Sequence, residues 1–300
     1  MEAAELGGTR VFGVKTISDV LRILEDKEDV SDLLVTGRNV PQTEKTLKDY
    51  MDFADIVGQD GAKRGLEIAA AGGHNVIMVG SPGSGKTSLA KAMIGIMPRM
   101  QTAEAIETSK IYSVAGLRTA TLGLMRERPF RAPHYSASMA AIIGGGNGEN
   151  ILPGEVSLAE NGVLFLDEMP EFSRRGLEVL RQPLEDKQIQ LSRASGTYVF
   201  PAGFILVAAM NPCPCGYYPD MNKCRCSPGE VSHYLHKLSQ PLLERIDLCA
   251  DVPPVDFSQI SCVKPGESSA VIRERVERVR QIQSKRYENC LLYTSDAADD

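Results

Sequence analysis

The stretch Gly80-Ser81-Pro82-Gly83-Ser84-Gly85-Lys86-Thr87 decides how the rest of the chain is read. Ahead of it, Asn75 to Gly80 is a run of Val, Ile and Met with the composition of a buried strand; behind it, Ser88 to Met97 has helical composition. Strand, glycine loop and helix are the context that a phosphate-binding (Walker A) loop requires. Its glycines let backbone N–H groups curl around phosphate oxygens, and the following helix aims its positive end at them. Lys86 is expected to reach the terminal phosphates and Thr87 to ligate Mg²⁺. A glycine turn with an incidental lysine is the plain alternative, and the flanking strand and helix weigh against it.

Further along, Val163-Leu164-Phe165-Leu166-Asp167-Glu168 has a Walker B pattern. A buried strand from Gly162 to Leu166 delivers two carboxylates at its C-terminal end, where open α/β sheets bind ligands. Asp167 is expected to hold Mg²⁺ and its water. Glu168 is expected to orient and polarise the attacking water, because nucleotide hydrolysis depends mainly on positioning and charge stabilisation. A third apolar strand, Phe204 to Met210, ends at Asn211, whose amide can touch both the γ-phosphate and that water. A turn-forming Asn before Pro212 would look the same. The expected cofactors are therefore ATP, held by Gly80 to Thr87 with Asp167, and Mg²⁺, held by Thr87 and Asp167. Short apolar strands separated by helical segments imply an α/β fold with a parallel sheet covered on both faces.

Composition bounds this reading. Three hundred residues, 43% of them hydrophobic, are enough for a substantial core and about two domains on general size grounds. A net charge of -6 excludes a generally basic nucleic-acid coat but not local basic patches. The strongest apolar run, Ala202 to Met210, has strand length, well short of the roughly 18 residues that span a bilayer. The acidic start, Met-Glu-Ala-Ala-Glu, lacks the pattern of a secretory signal, so the expected location is the cytoplasm.

Around the core, Ile17, Val20, Leu21 and Leu24 follow helical spacing. Residues Glu25 to Lys48 are polar, contain Pro41 and read as a linker, which places a boundary near Asp49. Ile272, Val276 and Val279 form a helical stripe that begins another subdomain. The last residues, 291–300, lose all pattern and read as a non-native tail.

Four of the seven cysteines form two C-x-C pairs, Cys213/Cys215 and Cys224/Cys226, separated by eight residues. Four thiolates can enclose one Zn²⁺ tetrahedrally and leave no open position, which makes a structural brace; ordinary reduced thiols are the alternative. His233 and His236 can substitute as ligands or simply lie on a surface helix. Cys249, Cys262 and Cys290 read as isolated thiols. Between the two nucleotide motifs, Arg126, Arg128, Phe130, Arg131, His134 and Tyr135 combine cations with aromatic faces ahead of a flexible Gly144-Gly145-Gly146. That chemistry suits single-stranded or branched DNA, with phosphates on the arginines and bases on the rings; internal packing is the alternative. A second candidate, Lys187 to Pro201, carries Arg193 and Tyr198 on a hairpin around Ser195-Gly196.

The order of these motifs resembles the Mg-chelatase-like AAA+ ATPases: Asp55-Ile56-Val57-Gly58-Gln59, the phosphate loop, a long insert, the acidic pair, Asn211, then Pro241-Leu242-Leu243-Glu244-Arg245-Ile246-Asp247-Leu248. Three strings bring it closer to their ComM/YifB group: Arg128-Pro129-Phe130-Arg131-Ala132-Pro133-His134, Ser136-Ala137-Ser138-Met139 and Asn211-Pro212-Cys213-Pro214-Cys215-Gly216. The likeness covers roughly Val11 to Glu288. It implies a fragment: 1–48, remnant of an N-terminal Lon-protease-like domain plus linker; 49–255, a three-layer AAA+ P-loop core; 256–290, the start of a helical lid that stops before a sensor-2 arginine. It also implies a hexameric ring, with Arg245 as arginine finger toward the neighbouring nucleotide; a salt bridge to Glu244 or Asp247 is the structural alternative. In related rings, hairpins such as 187–201 point into the pore. The implied activity is Mg-dependent ATP hydrolysis driving a DNA helicase or branch-migration factor in recombination or natural transformation. The alternative is a protein-remodelling, chelatase-associated or Lon-like-protease-associated ATPase.

Overall fold

The computed structural model describes residues 10–25, 30–35, 51–117, 123–146, 151–193, 196–254 and 266–287. Within these, the helices are α1 (Ile17–Glu25), α2 (Asp60–Gly72), α3 (Lys86–Ile96), α4 (Thr102–Val114), α5 (Met139–Ile143), α6 (Glu155–Leu158), α7 (Arg174–Glu178), α8 (Arg181–Asp186), α9 (Pro228–Leu235), α10 (Gln240–Leu243) and α11 (Ser269–Tyr287). The strands are β1 (Val76–Gly80), β2 (Phe130–Arg131), β3 (Gly144–Gly145), β4 (Leu152–Pro153), β5 (Val163–Leu166), β6 (Gln188–Arg193), β7 (Gly196–Pro201), β8 (Ile205–Met210) and β9 (Leu248–Val252).

The main sheet has the order β2-β5-β8-β1-β9, and every pairing in it is parallel. Its central strands are apolar throughout because both faces are covered, as parallel sheets require. Alternate side chains point to opposite faces. Val76 and Met78 of β1, with Val207 of β8, face a core shared with Leu66 of α2, Leu89 and Met93 of α3, and Ile272 and Val276 of α11. Ile77, Leu164, Leu166 and Leu206 face the other way, onto Leu177, Leu180, Leu184, Tyr234 and Leu242 from α7 to α10. The result is the α/β three-layer arrangement that the apolar runs predict. Leu89 and Leu206 are fully buried, and truncating either to alanine costs about 2–5 kcal/mol.

Asn75 sets the start of the central strands. Its N–H donates to Asp247 Oδ2 at 2.7 Å, its side-chain N–H donates to the Arg245 carbonyl at 2.8 Å, and its Oδ1 accepts from the Leu206 N–H at 2.9 Å. One buried amide thus satisfies its own polar atoms while tying β1 to the entries of β8 and β9.

Three peripheral expectations meet a different structure. The segment read wholly as linker folds back in part: Phe12 bridges Leu34, with Gly13 N–H on the Leu33 carbonyl and Val35 N–H on the Val11 carbonyl, both at 2.8 Å. The α11 stripe packs on α2 and α3 and enters the same core through Ile272 and Val276. Gly144 and Gly145, read as flexible, pair with Pro153 and Leu152 in the β3–β4 ladder. On α1, Ile17 and Leu24 are exposed. The boundary at Asp49, Cys262, Cys290 and the tail lie outside the described residues.

Glu160, just before β5, is buried and accepts a hydrogen bond from the Gly203 N–H. Burial pushes its carboxyl up to about 7, so the folded state favours the protonated acid. Its stabilising contribution is complete below the unfolded carboxyl range and is lost as pH rises through about 7. Glu160→Gln is expected to raise thermal stability at pH 8 relative to the parent, by about 1–3 kcal/mol, and to do little at pH 4. Melting curves of both proteins across that range check it.

Candidate nucleotide-binding site

Parallel strands deliver their C-terminal ends to one edge of the sheet. There, the loop after β1, the acidic pair after β5 and Asn211 after β8 enclose a cleft of about 420 Å³, lined by residues 82–88, Asp167, Glu168, Met210 and Asn211. Gly83 and Gly85 sit at φ +75° and +95°, a region in which a side chain is strained, so the loop curls as the sequence requires. The loop feeds directly into α3, whose first residue is Lys86.

Lys86 is buried, and its Nζ donates to the carbonyls of Gly80 and Ser81 at 2.8 and 2.9 Å and to Asn211 Oδ1 at 3.2 Å. Desolvation lowers its pKa, opposed by the charges of Asp167 and Glu168. Thr87 Oγ1 donates to Asp167 Oδ2 at 2.9 Å, and the Glu168 N–H donates to Asp167 Oδ1 at 3.0 Å. Two hard oxygen atoms are therefore already together, which fits a Mg²⁺ site. Glu168 is exposed to the cleft and held at φ +51°, an unusual conformation for a residue with a side chain.

Two participants escaped the sequence reading. Gln59, which caps the start of α2 at φ +60°, donates through Nε2 to the Ser84 and Pro253 carbonyls at 3.2 and 2.6 Å, linking the phosphate loop to the chain after β9. Its only sequence signal is its place in the Asp55–Gln59 string. Tyr234 of α9 receives the Asn211 backbone N–H on its hydroxyl, and burial pushes that hydroxyl up to about 12. An aromatic on an apolar helix face gives no sign of this role.

The aromatic and basic insert is largely turned inward, which corrects the strand-binding expectation for three residues. Arg128 donates to the Pro98 and Asn161 carbonyls at 2.6 and 2.7 Å and to the Glu104 carboxylate at 2.9 Å. Arg131 makes a two-pronged pair with Glu155, and Phe130 stacks on Phe165 at 5.8 Å. His134 and Tyr135 remain exposed, with their rings 4.1 Å apart. The hairpin forms as expected from β6 and β7, with Arg193 exposed and Tyr198 packed toward the core; its turn residues lie outside the described residues. Arg245 pairs with Glu185 of α8, not with either neighbour in sequence.

Cys213, Cys215, Cys224 and Cys226 bring their four sulfur atoms within 4.8 Å of one another. The Cys213–Cys215, Cys215–Cys224 and Cys213–Cys224 separations are 3.3, 3.6 and 3.8 Å, close to the roughly 3.8 Å edge of a tetrahedron with Zn–S bonds of about 2.3 Å. The Tyr218 N–H lies 3.4 Å from Cys213 Sγ, and backbone N–H groups of Tyr217 and Arg225 lower the Cys215 thiol to about 6. The donor set and its geometry fit zinc. Neither His233 nor His236 joins the cluster, and Cys249 stands apart.

A five-stranded parallel sheet with this loop, acidic pair and asparagine at one edge defines a P-loop core of the AAA+ type. The sequence matches the family described as magnesium chelatase, subunit ChlI, over residues 52–260, and the chain belongs to that family, within its ComM/YifB group. It is 49% identical over 236 residues to the YifB protein of Escherichia coli (strain K12), covering 78% of this chain and 46% of that one. It is 44% identical over 288 residues to the competence protein ComM of Haemophilus influenzae, covering 95% of this chain and 55% of that one. A more distant likeness, 26% over 255 residues, is to the DNA helicase MCM8 of Bos taurus, covering 76% and 27%. The chain spans about half the length of the YifB and ComM relatives.

Because Arg128 is enclosed by acceptors, Arg128→Ala leaves the Pro98, Arg99 and Asn161 carbonyls and the Glu104 carboxylate without their donor. Urea unfolding is expected to show a loss of about 2–4 kcal/mol, whereas Arg193→Ala on the exposed hairpin changes stability by less than about 0.5 kcal/mol.

Proposed function

We propose that this chain is the ATP-hydrolysing core of a homo-oligomeric, hexameric ring that moves on single-stranded or branched DNA in the cytoplasm. The observation that carries the ATPase reading is the convergence of Lys86, Thr87, Asp167, Glu168 and Asn211 on one cleft at the strand ends. Backbone N–H groups from Gly80 to Thr87 and the Lys86 ammonium bind the phosphates, and Thr87 with Asp167 would hold Mg²⁺. A Mg²⁺ ion held there would offset the negative charge of the phosphates. Glu168 orients the attacking water and accepts its proton; Asn211 positions that water against the γ-phosphate. Arg245 acts on the neighbouring copy's nucleotide. Its half-exposed pair with Glu185 supports this, because such a pair breaks at little cost.

The four cysteines would hold one structural Zn²⁺. Residues 1–48 are the remnant of a Lon-protease-like domain plus linker, and 256–290 are the start of a helical lid whose helix α11 packs on α2 and α3 of the core. For DNA, support comes from relatives named as a competence protein and a DNA helicase, and from the exposed Arg193, Val199 and Tyr135.

In the assembled protein, Glu168→Gln is expected to bind a fluorescent ATP analogue as the parent does while turnover falls at least about a hundredfold. Retained turnover would remove Glu168 from its role. Single-stranded or branched DNA is expected to stimulate the parent; stimulation confined to an unfolded protein substrate would favour the remodelling class instead. Elemental analysis should find one zinc per chain, lost when Cys213 and Cys224 are replaced by serine.

A further inference from the structure

The segment that carries the first cysteine pair packs against the phosphate loop. Gly216, next to Cys215, lies so close to Pro82 that a Cβ there would stand 2.4 Å from the proline Cδ and 2.7 Å from its Cγ. Its φ of +83° also excludes a side chain without strain, so glycine is required on two counts. The Gly216 N–H closes a turn on the Cys213 carbonyl at 3.0 Å. Two residues before Cys213, Asn211 Oδ1 accepts from Lys86 at 3.2 Å. The segment from Asn211 to Gly216 is thus pinned to the nucleotide loop at both ends, with two of the cysteines between.

Little else holds this segment in place. Between Asn211 and Ser227, only Cys213, Gly216 and Cys224 are buried. The apolar contact is a small satellite in which Val231 of α9 covers the cysteines. The same helix places Tyr234 on the Asn211 backbone. A loop with so small a core takes its order from its cross-link, and a tetrathiolate metal site is a strong one.

We propose that the metal in the cysteine cluster and the nucleotide in the phosphate loop are thermodynamically linked through the Pro82–Gly216 contact and the Asn211–Lys86 hydrogen bond. Zinc fixes the segment from Asn211 to Gly216 against the loop, so nucleotide binds a prearranged partner. By reciprocity, bound nucleotide tightens the hold on zinc by the same factor. This rests on the ATP and zinc assignments above and adds a regulatory role to the brace: loss of the metal weakens ATP binding without any change in the nucleotide ligands.

The test follows zinc transfer from the assembled protein to a chromogenic chelator, with and without a non-hydrolysable ATP analogue and Mg²⁺. The analogue is expected to reduce the fraction of zinc taken at equilibrium, equivalent to about tenfold tighter retention. In Pro82→Ser and Pro82→Ala, each of which removes the ring, zinc should remain at one per chain and the analogue should still bind while the nucleotide effect shrinks to less than about twofold. Zinc present, analogue bound and retention unchanged in the parent would overturn the linkage alone. Full protection persisting in both variants would overturn its route. Protein purified without zinc would overturn the metal assignment and the linkage with it, whereas zinc present with no analogue binding would overturn the ATP reading.

Discussion

Parallel pairing of β1 with β8 on one side and β9 on the other is the constraint on which everything else depends. The register sets Val79 beside Met210 and Asp251, and Leu166 of β5 beside Ala208 of β8. Gly80, Asp167 and Asn211 therefore emerge from the sheet within a residue or two of a common edge. Parallel geometry alone brings chain segments more than a hundred residues apart to one cleft, with no further element needed to recruit them. Asn75 guards this alignment at the opposite edge, since a slip of β1 against either neighbour would leave its buried amide without acceptor or donor.

The three central strands, the helix after the phosphate loop and the contents of the cleft were legible because each carries a local signature. Continuous Val, Ile, Leu and Met runs mark strands covered on both faces. The glycines, lysine and threonine of the loop stand in fixed order, and the acidic pair and Asn211 fall at strand ends. The cysteine pairs were legible as well, although C-x-C spacing says nothing about how the intervening loop folds.

What was not legible is whatever depends on a distant partner. Arg128 and Arg131 look the same in sequence whether they face a polyanion or a carboxylate; their partners, Glu104 and Glu155, each lie 24 residues away on separate helices. Arg245 has acids at both neighbouring shoulders of its sequence, yet it reaches Glu185, 60 residues earlier. Glycine runs mislead in the same way: Gly144 and Gly145 read as slack and prove to be a fitted ladder. The α11 stripe gave the correct helix, but the identity of the surface it covers was unreadable.

Glu168 occupies a left-handed backbone conformation that glycine would adopt with less strain, typically by about 1 kcal/mol. At this one position, the residue best suited to folding is the one that cannot polarise water. A glycine there would relax the turn into the following 3-10 segment, Met169–Glu171, and delete the carboxylate in the same stroke. On the role proposed for Glu168, folding and turnover pull in opposite directions at a single α-carbon, and a screen that rewards thermal tolerance alone would drift toward a sturdier, inert protein.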